Sequence, residues 1–261
     1  MTIPLNDSAL TVNQLSVNYG KTPVLWDISL EIPQGVLVGI IGPNGAGKST
    51  FIKAALGLIQ PLSGKVEFFG ESLKKMRQRV AYVPQRESVD WEFPVTVRDL
   101  VMMGRYGRLG LWHRPRRADW VAVDHYLEIV GMTAYGGRQI NQLSGGQQQR
   151  IFIARALLQE ADIYFMDEPF AGIDIGSETV IIRLLKELRN KGKTVFVVHH
   201  DLNTVEQYFD WTMVLNMRLV ACGLVKDVFN PQNLVKAYGK SYALFDEALK
   251  RSQQKNTGVI P

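Results

Sequence analysis

A chain of 261 residues that is 46% hydrophobic and 21% charged can bury a substantial core, which excludes a disordered or fibrous protein. Its formal charge of +5 is too small an excess to mark a nucleic-acid binder, and its one cysteine, Cys222, excludes an internal disulfide. Met1–Asp7 lacks the basic start and apolar stretch of a secretory signal, and no run approaches the roughly 20 apolar residues of a membrane helix, so a cytoplasmic protein is expected.

Thr11–Val17 and Ile28–Ile32 alternate apolar and polar residues, the period of half-buried strands. Val36–Ile41 is apolar or Gly throughout, as in a strand buried on both faces of a central parallel sheet. It runs into a glycine-rich loop, after which Lys48–Leu58 has helical spacing and Lys65–Phe69 returns to strand. From about Thr96 to Leu158 the strand signals fade, and Trp120, Val121, Val123, Leu127, Ile129 and Val130 predict an amphipathic helix in a mostly helical insert. Ile163–Met166 and Thr194–Val198 are apolar strands on either side of a helix from about Ser177 to Asn190, a βαβ unit. A short strand pair, Thr212–Leu215 and Leu219–Cys222, precedes a helical extension over about 226–252, and the polar Ser252–Gly258 reads as a frayed end. Arg105, Arg108, Arg114, Arg116 and Arg117, interleaved with Gly107, Gly110 and Trp112, read as a solvated loop or as a contact with a membrane protein or lipid headgroups, and Cys222 as a small buried apolar residue.

Gly42-Pro43-Asn44-Gly45-Ala46-Gly47-Lys48-Ser49-Thr50 follows a buried strand and opens a helix, the context a phosphate-binding P-loop needs. Its glycines let successive backbone N–H groups converge on phosphate oxygens, aided by the positive helix N-terminus. Lys48 is suited to reach the β and γ phosphates and the Ser49 hydroxyl to ligate Mg²⁺. Asp167-Glu168 ends an apolar strand, so both carboxylates emerge at the sheet edge where α/β ligands collect. Asp167 is suited to hold Mg²⁺, and Glu168 to polarise an attacking water as general base, a role worth roughly 10²- to 10⁴-fold. In Leu143-Ser144-Gly145-Gly146-Gln147 the glycines permit close backbone approach and the following helix aims its N-terminus at phosphate. Farther along that helix, Ile151, Ile153, Ala154, Ala156 and Leu157 read as core.

In their chain order, Gly42–Thr50, Leu143–Gln147 and Asp167-Glu168, these elements resemble the ATP-binding-cassette family, over about residues 10–225. The resemblance implies an α/β P-loop NTPase with a mixed central sheet, an N-terminal antiparallel β subdomain and a helical subdomain over about 96–158, with residues 1–261 forming a single ATPase domain. It implies that Tyr19, in Val17-Asn18-Tyr19-Gly20, stacks on adenine. Gln85, in Val83-Pro84-Gln85, would meet Mg²⁺ and couple to a transmembrane partner. Asp174, in Ala171-Gly172-Ile173-Asp174, would cross a dimer interface. His200, directly before Asp201, would contact the γ-phosphate, leaving His199 a structural residue. Because the P-loop already holds one nucleotide, the resemblance assigns Ser144–Gln147 to the nucleotide of the opposite protomer. ATP and Mg²⁺ would then occupy two composite sites in a head-to-tail homodimer.

Arg86–Val97, followed by Met102-Met103-Gly104-Arg105-Tyr106, looks like the manganese, zinc and iron importer branch of that family. There this region docks a short coupling helix of a membrane permease, and Trp91, Phe93 and Pro94 are apolar groups of the kind that anchor interfaces or are buried under the chain's own helical insert. The implied function is ATP hydrolysis powering uptake of a divalent metal, manganese ahead of zinc and ferrous iron. The implied setting is the cytoplasmic face of the cell membrane, with a separate permease contacted through Gln85–Val97, an extracytoplasmic metal-binding protein and no nucleic acid. His113 and Asp90 have no spaced cluster around them, so the transported metal is not expected to bind this chain. The alternative is a soluble cassette ATPase of DNA repair or translation, which typically carries two cassettes in one chain or a long coiled-coil insertion. A nucleotide-binding module without turnover is disfavoured by Lys48, Asp167 and Glu168.

Overall fold

The computed structural model describes residues 8–110 and 113–239. The first part of the chain forms β1 (Ser8–Tyr19), β2 (Thr22–Pro33), β3 (Leu37–Ile41), α1 (Lys48–Ala55), β4 (Ser63–Phe68), α2 (Leu73–Met76) and β5 (Val80–Val83). A helical stretch follows, with α3 (Val97–Met102), α4 (Tyr106–Leu109), α5 (Arg117–Ile129) and α6 (Gly145–Leu158). Then come β6 (Ile163–Met166), α7 (Ile175–Asn190), β7 (Thr194–Val198), α8 (Val205–Tyr208), β8 (Trp211–Asn216), β9 (Arg218–Leu224), α9 (Val225–Val228) and α10 (Pro231–Tyr238).

Two sheets organise these elements. The first is three-stranded and antiparallel, in the order β2-β1-β4. The second is six-stranded and mixed, in the order β5-β6-β7-β3-β8-β9, with only β9 antiparallel to its neighbour. Every residue of β3, β6 and β7 is buried, which accounts for their apolar sequences.

The two-residue period of a strand divides that apolar content between two cores. Val38, Ile40, Phe165, Phe196 and Met213 face the three-stranded sheet together with Phe51 and Ile52 of α1. Leu37, Ile41, Tyr164, Met166, Val195 and Val197 face the opposite way, with Ile151, Ile153 and Ala154 of α6 and Ile181 and Leu185 of α7. Phe165 stacks on Phe196 at 4.5 Å between ring centroids, and Phe68 of β4 meets Phe165 edge-on at 6.3 Å. These ring contacts help to lock the small sheet to the large one.

Several sequence expectations are corrected. Helix α1 stops at Ala55, short of Leu58, because Gly57 takes φ 63° and closes a C-terminal turn, with Gly57 N donating to Ala54 O and Leu58 N to Lys53 O. Strand β5 had no periodic signal, since four residues are too few to show one. Val121 is 61% exposed: α5 buries Val123 and Leu127, and Val121 stands about 200° around the helix from Val123. Arg105 and Arg108 are not free loop cations. Arg105 pairs with Asp119 and Glu160, and Arg108 with Glu160 at 2.6 Å. Cys222 is half-buried, accepts a hydrogen bond from Trp211 Nε1 at 3.3 Å, and has its thiol pushed up to about 11 by burial, which leaves it inert at neutral pH. The expected extension over 226–252 is seen as α9 and α10; the rest of it, Ser252–Gly258 and Trp112 lie outside the described residues.

Candidate nucleotide site

Parallel pairing carries the sequence motifs to one edge of the large sheet. Ile40 is paired with Val198, Val197 with Met166, and Met166 with Val83, so β3, β7, β6 and β5 end side by side. Two further backbone bonds extend the ladder, Asp167 N to Val83 O at 2.9 Å and His199 N to Ile40 O at 3.1 Å. Residues that follow the four strands therefore surround one crevice, the usual place for a ligand in an open parallel sheet. The crevice has a volume of about 920 Å³ and is walled by Gly42–Thr50, Gln85, Glu168 and His200, with Val24 and Tyr238 completing it.

Gly47 sits at the N-terminus of α1 with φ 92°, and a Cβ there would lie 2.5 Å from Leu25 Cδ2, so only glycine fits. It has no side chain to cap the helix, which leaves the first N–H groups of α1 for a ligand. Lys48 is 6% exposed, and its Nζ donates to Gly42 O at 2.8 Å and Pro43 O at 2.9 Å. Burial lowers its pKa, against the opposing pull of the Glu168 and Asp167 carboxylates. The cation is thus stored against its own loop.

Asp167 is fully buried. Its Oδ1 accepts from Ser49 Oγ at 2.9 Å, and its Oδ2 has no hydrogen-bond partner. Burial raises its pKa, while the Ser49 hydroxyl works in the other direction. An orphaned carboxylate oxygen beside a serine hydroxyl is a hard-oxygen donor set that fits Mg²⁺, and it gives the buried group the partner it lacks. Glu168 adopts φ 53°, uncommon for a residue with a Cβ, and its Oε1 lies 2.6 Å from His200 Nε2. His199 points elsewhere: it is 4% exposed, with Nε2 2.7 Å from Thr204 Oγ1 and its ring edge-on to Phe170 and Phe209. Burial lowers its pKa.

Other predicted residues lie away from this crevice. Tyr19, at the end of β1, is 51% exposed and is not part of the wall. Ser144 is exposed and caps α6 reciprocally, its Oγ accepting from Gln147 N at 3.4 Å and its N donating to Gln147 Oε1 at 2.9 Å. Gly145 and Gly146 open that helix. Asp174, also exposed, accepts from Ser177 Oγ at 2.7 Å and caps α7 by accepting from Ser177 N at 3.0 Å, and the two bonds hold its carboxyl below the usual range. Trp91 is half-buried: its Nε1 donates to Arg86 O at 2.9 Å and its ring meets Phe152 at 5.2 Å. Phe93 is 55% exposed and Pro94 is also exposed.

The sequence offered no signal for Val24 or Tyr238, because neither belongs to a spaced motif and both reach the crevice only through tertiary packing. Beside Pro84 runs a second cleft, of about 710 Å³, lined by Lys74, Lys75, Arg77, Arg108 and Arg155 with no carboxylate on its wall. Among the described residues no helix is long and apolar enough to cross a membrane.

Residues 25–171 match the ABC transporter family profile. The chain is 58% identical to the manganese transport system ATP-binding protein MntB of Bacillus subtilis (strain 168), over 87% of this chain and 91% of that protein. It is 53% identical to the zinc transport system ATP-binding protein TroB of Treponema pallidum (strain Nichols), over 88% of this chain and 87% of that protein. Among solved structures it is similar to CbiO1 of Clostridium perfringens, described as part of the ABC transporter complex CbiONQ, with a TM-score of 0.72, 27% identity, and coverage of 94% of this chain and 99% of that one. With a matching profile over more than half its length, and a P-loop, acidic pair and histidine assembled around one crevice, the chain belongs to the ABC transporter family.

Proposed function

We propose that this chain is the ATP-hydrolysing subunit of a transporter that imports a divalent metal ion, manganese ahead of zinc and ferrous iron. The observation that carries the catalytic half of this reading is the convergence of Gly42–Thr50, Gln85, Glu168 and His200 on one crevice beside the buried Asp167. The choice of cargo rests on relatives named for manganese and zinc transport.

In this reading the N–H groups of the loop and of the first turn of α1 cradle the phosphates, and Lys48 turns from Gly42 and Pro43 to the β and γ phosphates. Ser49, Asp167 and Gln85 would hold Mg²⁺, which when bound neutralises charge developing on the phosphates. Glu168 accepts a proton from the attacking water, and His200 orients its carboxylate from 2.6 Å and contacts the γ-phosphate. Tyr19 stacks on the adenine.

Ser144–Gln147 and Asp174 are exposed or part-exposed outside the crevice, and that placement supports their assignment to the nucleotide of a second copy in a head-to-tail pair. Residues 1–261 act as one cassette, with the helical stretch over about 96–158 as its moving lobe. The cassette sits on the cytoplasmic face of the cell membrane and meets a permease through Gln85–Val97, where Phe93 and Pro94 are exposed and the neighbouring Pro84 lines the basic cleft. An extracytoplasmic metal-binding protein delivers the cargo, and nucleic acid has no part.

Co-purification with the permease, followed by ATPase assays with and without the binding protein loaded with manganese, zinc or iron, tests this reading. Stimulation by the loaded binding protein is expected, greatest with manganese. Stimulation by nucleic acid, with no permease association, would instead support the soluble reading.

A further inference from the structure

Arg86 directly follows Gln85, yet it is not on the wall of the crevice; its side chain reaches the start of α6. Arg86 Nε donates to Gln148 Oε1 at 3.0 Å. A Cβ on Gly145 would lie 2.8 Å from Arg86 Cζ, so glycine at the first position of α6 gives the guanidinium the room it occupies. Gln148 is 4% exposed and passes the contact on, its Nε2 donating to Ile140 O at 3.1 Å, in the turn that leads into Leu143-Ser144. Without Arg86 the buried Oε1 loses a charged donor, which is unfavourable for a polar atom shut away from water.

The backbone of Arg86 belongs to the same arrangement. Arg86 O accepts from Trp91 Nε1 at 2.9 Å, and the Trp91 ring packs on Phe152. The segment from Arg86 to Trp91 is therefore fastened to α6 at Gly145, Gln148 and Phe152, which at spacings of three and four residues share one face of the helix. Gly145, Gln148 and Phe152 are all off the wall of the crevice.

We propose that Arg86 is a positioning residue for the nucleotide of the second copy: it fixes the Ser144–Gly146 helix start that its own chain presents to that nucleotide. The proposal rests on the reading of Ser144–Gln147 as a contact across the dimer. Gln85 and Arg86, adjacent in sequence, then serve different nucleotides, one in each composite site. A chain that rearranges around Gln85 on meeting its own ATP thereby moves the helix start it offers to its partner.

Arg86→Met keeps most of the stem and removes the donor. As a monomer it should bind ATP within about twofold of wild type, while turnover falls about tenfold, as expected for one lost charge-assisted hydrogen bond. Arg86→Lys, a smaller change, should follow the same pattern with a smaller loss.

Equal mixing with Lys48→Ala protein shows which site is affected. In the mixed dimer Lys48→Ala disables the site at its own P-loop, the α6 defect of the Arg86→Met chain falls on that same site, and the other site carries neither lesion. Turnover should rise above both parents, to the level of a control mixture of Ser144→Arg with Lys48→Ala. Mixing Arg86→Met with Ser144→Arg should give no such rise, because each site then carries one lesion.

If the control rises and Arg86→Met with Lys48→Ala does not, Arg86 acts on the nucleotide beside Gln85 or on the fold of its own chain; the proposal is then wrong and the paired reading stands. Wild-type turnover by Arg86→Met protein would also overturn it. A control that fails to rise overturns the paired reading itself, and the proposal with it.

Discussion

His200 and Glu168 leave neighbouring parallel strands and meet with Nε2 2.6 Å from Oε1. The contact is made with Glu168 at φ 53°, a backbone position that costs a residue with a Cβ on the order of 1 kcal/mol or more. That cost is met by the packing of β6 and β7, and it fixes the carboxylate on the wall of the crevice. A glutamate free to rotate would spend most of its time elsewhere.

Glu168→Gln keeps the size of the side chain and an oxygen able to accept a hydrogen bond, but removes the base. ATP affinity should change by less than about twofold, turnover should fall roughly 10²- to 10⁴-fold, and ATP should trap a dimer visible by size exclusion. Purified Glu168→Gln protein with near-normal turnover would take Glu168 out of the catalytic role. His200→Ala should also slow turnover, by tenfold or more, with binding little affected.

Ser144 is exposed at the start of α6 and off the wall of the crevice, so Ser144→Arg should leave ATP binding to the monomer intact and abolish turnover. Mixing it with Lys48→Ala protein yields dimers in which one composite site carries both lesions and the other carries none. Activity should reappear in the mixture. Wild-type turnover by Ser144→Arg alone would mean that each site belongs to a single chain.

Trp91 and Phe93 should behave oppositely. Trp91→Ala removes ring packing on Phe152 and a hydrogen bond to Arg86 O, and should cost about 2–3 kcal/mol of stability. Phe93→Ala touches an exposed ring and should cost less than about 0.5 kcal/mol, yet weaken permease binding by on the order of 2 kcal/mol. Thermal melts with ATP titration, paired with pull-down by the permease, separate the two. Wild-type assembly by Phe93→Ala protein would exclude Phe93 from the docking surface.

His199 should give stability an acid dependence. Burial lowers its pKa below the ordinary 6.5, so on acidification the unfolded chain takes up a proton that the folded chain refuses. Stability is fully present above the unfolded value and declines as pH falls below it, no more steeply than about 1.4 kcal/mol per pH unit from this group. Denaturant melts at pH 7.5, 6.5 and 5.5 should show the decline, and His199→Gln should flatten it. An equal pH dependence in the variant would assign the effect to other groups.

Much of the fold was legible in the residues because its signals are local. The apolar run Val36–Ile41 before Gly42–Thr50, and Ile163–Met166 before Asp167-Glu168, combine periodicity with a turn chemistry that few backbones satisfy. Ser144 with Gln147 spells a helix start in the same way, through a capping box closed within four residues. Parallel strands with their motifs at the C-terminal ends then leave little freedom about which edge bears the ligand.

What the tertiary structure alone decided are the contacts made across long stretches of chain. Trp91 reads equally as an interface anchor or as a ring packed under the helical insert until α6 brings Phe152 to it. Arg105 and Arg108 read as solvated until Glu160 arrives. His199 and His200 differ in sequence only by the place of His200 before Asp201; their surroundings are set when β7 turns one ring into the aromatic pocket of Phe170 and Phe209 and the other toward Glu168. Tyr238 carries no motif, and only the packing of α10 beside β8 sets it against the P-loop. Periodicity and spacing report how a segment folds on itself; which side chain fills a partner's vacancy depends on shape and unsatisfied hydrogen bonds that exist only after the segments have packed.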